Sequence, residues 1–485
     1  MGKSGLFVSI LNLTNSVTGA AFLALPFQVT LLGQVGVALF LILFFVLNYV
    51  TLEMLSSVYR HNKEHFPQTP PQQQPQNLEE INNNNNNKTK MKTKLKKFLA
   101  FPTINNNENV LFGKAGDEES NQVHPPTAIT SEPVYDVKEM HDLLSCYGNG
   151  GVVVMYHIAI ILSMFGSLCV LVIVARTCLY SLVLAYSPET SPILFDSVFV
   201  SSFAVLVFLP TLVKKISSQW AFSFVSLLSL LYIFVSVIVR GSQVIAEKGY
   251  PPYIQPPFTL SALSCLGVAA FSMTCQMNAV PIFDELENPT EWRLRILNLS
   301  SLSLSTVIYL FICNFGFYSQ GVLTNPNIIL GFPLTDPVMQ AAKVFLALKM
   351  LFTFPLFAHP LLASVDDILR RAISIRQDSR SLYWARRVPV AASFVIGSVL
   401  IGYFFDDISP VLSLTGAIAD SFISFLFPSL LLMHWILRSL GGKEQLSLAD
   451  EHEMTERYQR ASSLVLVSII ISGLTVFGLL SGPIS

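Results

Sequence analysis

Eleven stretches of this chain stay mostly apolar for about 20 residues, the length a helix needs to cross the hydrocarbon core of a bilayer. They fall at 6–28, 31–59, 150–186, 193–213, 219–239, 258–284, 294–320, 338–366, 385–405, 410–437 and 459–482. Inside lipid, backbone groups must be satisfied within the segment, so each run is expected to wind into a helix. Charged residues make up 13% of the chain and the mean hydropathy is +0.55, whereas soluble domains average about 25% charge. The expectation is an all-α polytopic membrane protein with eleven transmembrane helices.

Loop charge supports this map. With the N-terminus inside, fifteen Lys and Arg residues fall on the short inside segments, and only Arg240 and Lys248 on the outside loops. The alternation follows the positive-inside rule through every span. It predicts a cytoplasmic N-terminus and an extracellular or lumenal C-terminus. No small-residue cleavage site follows the first run, so that run is expected to act as its own signal anchor.

Residues 1–59 then carry the first two helices, 60–149 a cytoplasmic loop, and 150–485 the remaining nine helices. The loop contains a Pro/Gln tract at 67–75, an Asn run at 82–87 and a basic run, Lys88 to Lys97. Such composition buries too little apolar surface to fold alone and predicts a largely disordered insertion. Its basic run can also contact anionic lipid headgroups. Residues 135–147 read as a short helix on the membrane surface.

Several function classes are excluded. A net charge of −1 without a basic, aromatic-interleaved groove argues against nucleic acid. The six cysteines (146, 169, 178, 265, 275 and 313) lie almost entirely in apolar segments without a CxxC pair, so neither a disulfide framework nor a zinc site is expected. No nucleophile triad, phosphate loop or metal-ligand spacing appears, and no enzyme or cofactor is expected. Asp366-Asp367 and Asp406-Asp407 sit at opposite membrane faces and cannot share a substrate.

The first run is unusual. Asn12, Thr14, Asn15, Ser16 and Thr18 crowd its first half, followed by Gly19-Ala20-Ala21 at mid-depth and then Pro26. Small residues and a proline loosen a helix, and a membrane helix that breaks points to a transporter binding site. The sixth run repeats the pattern, with Phe271-Ser272-Met273-Thr274-Cys275 and then Pro281.

These two stretches resemble the amino acid/auxin permease family, and within it the sodium-coupled neutral amino acid transporter branch. The match is carried by Phe271 and Cys275, by Pro281-Ile282 with Glu285-Leu286, by Asn288-Pro289-Thr290 with the basic residues after it, and by Asn12 to Pro26. Weaker matches are Thr353-Phe354-Pro355 with Pro360, and Gly416 with Phe427-Pro428-Ser429. The resemblance implies a LeuT-type arrangement, a five-plus-five inverted repeat plus one extra helix. It also implies secondary transport of amino acids, mainly neutral ones, by alternating access, coupled to Na+ or H+. The alternative is a membrane amino acid sensor signalling through 60–149. The plasma membrane and an endolysosomal membrane both remain open as its location.

On this reading the substrate-binding residues are Ser16, Thr18, Gly19, Ala20, Ala21, Phe271, Ser272, Thr274 and Cys275. Backbone amides at a helix start suit a carboxylate, and unwound carbonyls suit an ammonium. Ala21 departs from the family, which usually has Gly at or beside this position. The resemblance carries Na+ ligation to Asn15 and Thr353. Asn15 can equally serve as an interhelical hydrogen bond, and Thr353 can bond its own preceding turn. Lys349 lies one turn before Thr353, where an ammonium either replaces sodium, couples to protons, or pairs with a carboxylate. Arg176 reads as a membrane-rim residue. Asp284 and Glu285 face Arg293 and Arg295 as an inner gate or a solvated ion cluster.

Overall fold

A computed structural model describes residues 4–65, 139–147, 150–212, 220–250, 256, 259–373, 380–441 and 448–481. The described residues are helical, apart from turns and one isolated bridge between Ser4 and Leu286. The Asn run and the Lys88–Lys97 stretch lie outside the described residues. Of the expected surface helix, Met140–Tyr147 is helical.

In chain order the helices are α1 (Leu6–Val17), α2 (Leu25–His65), α3 (Met140–Tyr147), α4 (Gly150–Tyr186), α5 (Pro192–Leu212) and α6 (Trp220–Lys248). After these come α7 (Cys265–Met273), α8 (Gln276–Glu285), α9 (Glu291–Gln320), α10 (Pro337–Ile373) and α11 (Arg380–Phe404). The chain closes with α12 (Ser409–Thr415), α13 (Phe427–Gly441) and α14 (Leu448–Ser481). Gly416–Asp420 and Phe422–Leu426, between α12 and α13, are wound in wide π-helical turns.

Among the described residues, ten helical segments are long and apolar enough to cross a membrane. The first expected span is missing from that set for a physical reason. It is divided between α1, which has only 12 residues, and the start of α2. The helix that begins at Leu25 continues through a sharp turn at Gly33 into the second expected span. Gly33 has φ 74°, a left-handed conformation that glycine adopts without a Cβ penalty.

Helix packing follows the distribution of small and apolar residues. Helices α4 and α10, each 37 residues long, pack along one another with α5, α6 and α11 against them, while α9 packs on α2 and α6, and α2 also meets α7. Leu168 and Val170 to Val174 on α4 are almost completely buried, while Leu39, Ile42, Val205, Leu206 and Ile470 are exposed, as lipid-facing side chains should be. Helices without a hydrophobic drive between them need small residues to approach closely. Gly166 of α4 lies against Thr415, and Gly267 of α7 lies against Gly416 and the carbonyl of Ser413. Gly316 of α9 receives the Pro26 ring.

Ion pairs close the bundle at both ends. Arg176 bonds Asp196 at 2.7 and 2.9 Å and Asp406 at 2.6 Å, tying α4 and α5 to the segment after α11. At the other end Asp284 accepts from Lys63 and from the Tyr59 hydroxyl, both at 3.1 Å. Arg295 reaches Glu53 at 3.3 Å and Glu291 at 2.7 Å. Both Asp284 and Arg295 are thus engaged with residues of α2, a connection between distant segments that the local sequence does not display. Ser4 adds a strap, with its amide donating to the Glu285 carbonyl and its carbonyl accepting from Glu287.

Candidate functional site

Two spans lose their regular winding at mid-depth. In the first, α1 stops at Val17, Thr18 and Gly19 are non-helical, and a single 3-10 turn over Ala20–Leu23 leads into α2. Gly19 has φ −71° and ψ −156°, an extended geometry, and its amide donates to the Val17 carbonyl two residues back at 2.7 Å in place of the helical bond. In the second, α7 stops at Met273, Thr274 is extended and Cys275 has φ −142°, after which α8 restarts at Gln276. Thr18 and Thr274 each bond their hydroxyl to the carbonyl four residues back, at 2.9 and 2.8 Å. Those bonds satisfy carbonyls at the severed ends.

Tyr309 of α9 joins the two breaks. Its hydroxyl lies 2.7 Å from the Val17 carbonyl and 2.8 Å from the Ser272 carbonyl, with the side chain completely buried. One hydroxyl thus lies between two carbonyls at the ends of two different helices, and the Val17 carbonyl also accepts from the Gly19 amide. Ser16 and Asn278 form a second bridge, with the Asn278 amide donating at 2.7 Å. The structure therefore brings Ser16, Thr18, Gly19, Ser272, Thr274 and Cys275 into one region. Phe271 is half-buried, Ala21 is fully buried, and Ala20 opens the 3-10 turn.

A closed polar network supports the second break. The Gln276 amide donates to Asn48 at 2.8 Å and to Thr51 at 3.0 Å, while its carbonyl accepts from the Cys275 amide and from Ser424, both at 3.0 Å. Ser424 also bonds Thr274 at 2.9 Å. All the hydrogen-bonding capacity of Gln276 shown here is used within the membrane interior. Replacing Gln276 with Leu strands partners on α2, at the break and in the wide turns. We expect Gln276→Leu to destabilise the protein by about 2–4 kcal/mol, read as a fall in melting temperature in detergent, with Gln276→Glu intermediate.

The expected coupling residues lie on α1 and α10. Thr353 and Lys349 lie one turn apart on α10, both buried, and neither the Thr353 hydroxyl nor the Lys349 ammonium has a hydrogen-bond partner among the described residues. Lys349 Nζ sits 5.1 Å from the ring centre of Phe22, in the 3-10 turn of the first break. No ion pair joins Lys349 to a carboxylate among the described residues. Asn15 is half-buried, and no hydrogen bond connects it to Thr353 or Lys349 among the described residues. Lys349 occupies the face of α10 that meets the broken first helix.

Tyr309, Gln276 and Ser424 carry no local sequence signal of their partners, which lie far along the chain.

Two broken spans joined by a buried hydroxyl lie within a bundle of long apolar helices, the architecture of an integral multi-pass membrane protein. The chain belongs to the transmembrane amino acid transporter protein family, whose model matches residues 133–471. Among curated proteins it is 26% identical over 227 residues to vacuolar amino acid transporter 5 of Schizosaccharomyces pombe, covering 47% of this chain and 53% of that protein. It is also 26% identical over 289 residues to sodium-coupled neutral amino acid transporter 7 of Xenopus laevis, covering 58% and 60%. The chain thus spans about half the length of the curated relatives it matches. Among solved structures, a manganese transporter of Eremococcus coleocola aligns over 97% of this chain and 94% of that one, with 10% identity and a TM-score of 0.42.

Proposed function

We propose that this chain is a secondary active transporter of amino acids, neutral ones foremost, working by alternating access, with its helices arranged as a five-plus-five inverted repeat plus one. The observation that carries the reading is the pair of breaks at 18–19 and 274–275, held together by Tyr309. Amides after the first break suit a carboxylate, and carbonyls at the second suit an ammonium, so a zwitterion fits between them. Ser16, Thr18, Gly19, Ala20 and Ala21 form one wall, and Phe271, Ser272, Thr274 and Cys275 the other.

Protons are preferred to sodium as the driving ion. An ammonium at Lys349, one turn from Thr353, repels a second cation from the place where Asn15 and Thr353 would hold sodium. The chain then resides in the plasma membrane or an endolysosomal membrane with its N-terminus cytoplasmic, and Lys88–Lys97 meets anionic lipid there.

Uptake of each of the twenty amino acids into proteoliposomes, in sodium and in choline buffer, tests this reading. Wild type is expected to accumulate neutral amino acids equally in both buffers. Lys349→Ala is expected to change the cation response by about tenfold, as removal of a fixed charge at an ion site should. Uptake that collapses in choline for wild type would return the cation role to Asn15 and Thr353. No uptake of any amino acid would remove the carrier reading.

A further inference from the structure

The wide-turn segment between α12 and α13 holds a second buried charge-bearing group. Asp420 is 2% exposed, on the last of the five residues Gly416–Asp420. Its Oδ1 accepts from the Ser163 hydroxyl of α4 at 2.6 Å, and its Oδ2 has no hydrogen-bond partner among the described residues. A carboxyl group this deep in a membrane bundle is expensive and by default functional.

Among the described residues its surroundings supply no compensating cation. Helices α7 and α12 and the second wide turn contain no charged side chain, and α7 contributes only the Cys265 thiol. On α4, Cys169 is buried, Arg176 is committed to Asp196 and Asp406, and His157 lies 3.1 Å from Asp367. His157 is also six residues before Ser163, about 9 Å along the helix. On α14 the charged residues fall in the first turns, where Glu453 pairs with Arg457 and Glu456 with Arg460. Lys349, whose Nζ likewise has no hydrogen-bond partner, makes no ion pair with Asp420 among the described residues.

The backbone around Asp420 is prepared for a special role. Wide turns misalign carbonyls, and here hydroxyls collect them: Ser421 bonds the Gly416 carbonyl at 2.8 Å, Ser468 bonds the Ser421 carbonyl at 3.1 Å, and Ser472 bonds the Ala417 carbonyl. Such turns inside a helix recur at functional sites. The same segment touches the second break through Gly416 against Gly267 and through Ser424 with Thr274. A change at Asp420 is therefore mechanically connected to the substrate wall.

We propose that Asp420 is the group that carries the coupling proton. A proton adds to the free Oδ2 on the side of high proton concentration, giving a neutral carboxyl, and leaves from the same oxygen on the other side, restoring the carboxylate. Ser163 holds Oδ1 throughout. This rests on the carrier reading above and extends it: Lys349 fills the cation place as a fixed charge, and the moving charge sits at Asp420.

The test combines two readouts on purified full-length protein. Infrared difference spectra between mildly acidic and mildly alkaline buffer are expected to show a buried carboxylic C=O stretch that Asp420→Asn abolishes. In proteoliposomes loaded against a tritiated mixture of the twenty amino acids, an inward proton gradient is expected to stimulate wild type and not Asp420→Asn. Ser163→Ala, which keeps the carboxyl and removes only one hydroxyl, is expected to retain the band and move the midpoint of the pH profile. Persistence of the band in Asp420→Asn, an undiminished gradient response in that variant, or an unmoved midpoint in Ser163→Ala would overturn the assignment. Wild-type uptake that ignores the gradient would overturn it too, while leaving the carrier reading intact. Absence of all wild-type uptake would instead strike the carrier reading and take the coupling role with it.

Discussion

Tyr309→Phe is expected to lower amino acid uptake by about tenfold to a hundredfold while leaving the protein folded, because it removes one oxygen and no packing volume. That oxygen stands 2.7 Å from the Val17 carbonyl and 2.8 Å from the Ser272 carbonyl. Without it, the Ser272 carbonyl at the second break loses its donor and the Val17 carbonyl keeps only the Gly19 amide at 2.7 Å, and an unsatisfied buried polar group costs about 1–3 kcal/mol. Every 1.4 kcal/mol is about a factor of ten in affinity, which sets the range. The loss should appear mainly in apparent KM, since the two walls of the site are no longer held at a fixed separation. Initial-rate uptake over a concentration series, beside a thermal melt of the same preparation, checks this. Wild-type kinetics in Tyr309→Phe would show that the breaks keep their spacing without the hydroxyl.

Gly416→Val is expected to remove folded protein altogether. A Cβ at Gly416 would lie 1.9 Å from the Gly267 carbonyl oxygen, and one at Gly267 would lie 2.2 Å from the Ser413 carbonyl oxygen. Both obstacles are backbone, so no side chain can rotate away, and the two helices would have to separate. Overpacking of this kind costs about 3 kcal/mol or more. Size-exclusion profiles of fluorescently tagged protein should show Gly416→Val aggregated or absent and Gly473→Ala, at a site with nothing within 4 Å of an added Cβ, unchanged. A monodisperse Gly416→Val would mean that α7 and the wide turns are not in backbone contact.

The positions of the breaks are legible in the sequence because they depend on local chemistry. Gly19 and its two alanines interrupt an apolar run already weakened by hydroxyls, and Thr274-Cys275 is followed by a proline six residues on from Cys275. The prolines themselves act differently from one another: Pro26 stands in the first turn of α2, where its missing amide is harmless, whereas Pro281 lies inside α8. Helix count is less legible, since whether two apolar runs join through Gly33 depends on one glycine's φ. The supporting groups are not legible at all. Tyr309 and Val17 are separated by 292 positions, Gln276 and Asn48 by 228, and Ser163 and Asp420 by 257. Such pairings are set by how helices pack, and a tyrosine, glutamine or aspartate in a membrane span does not announce its partner. Lys349 was visible as an intramembrane cation, yet only packing shows that Phe22 rather than a carboxylate lies beside it.

The central claim is that the main chain exposed at the two breaks binds an amino acid. Gly19 offers the most direct access, because a Cβ added there meets nothing within 4 Å. Five of the six native cysteines are buried, and Cys146 can be replaced by serine. Methanethiosulfonate labelling of Gly19→Cys in this background should proceed in buffer and slow sharply when a transported amino acid is added, with the protection titrating at its uptake KM. Labelling at the same rate in the presence of every amino acid would contradict the claim.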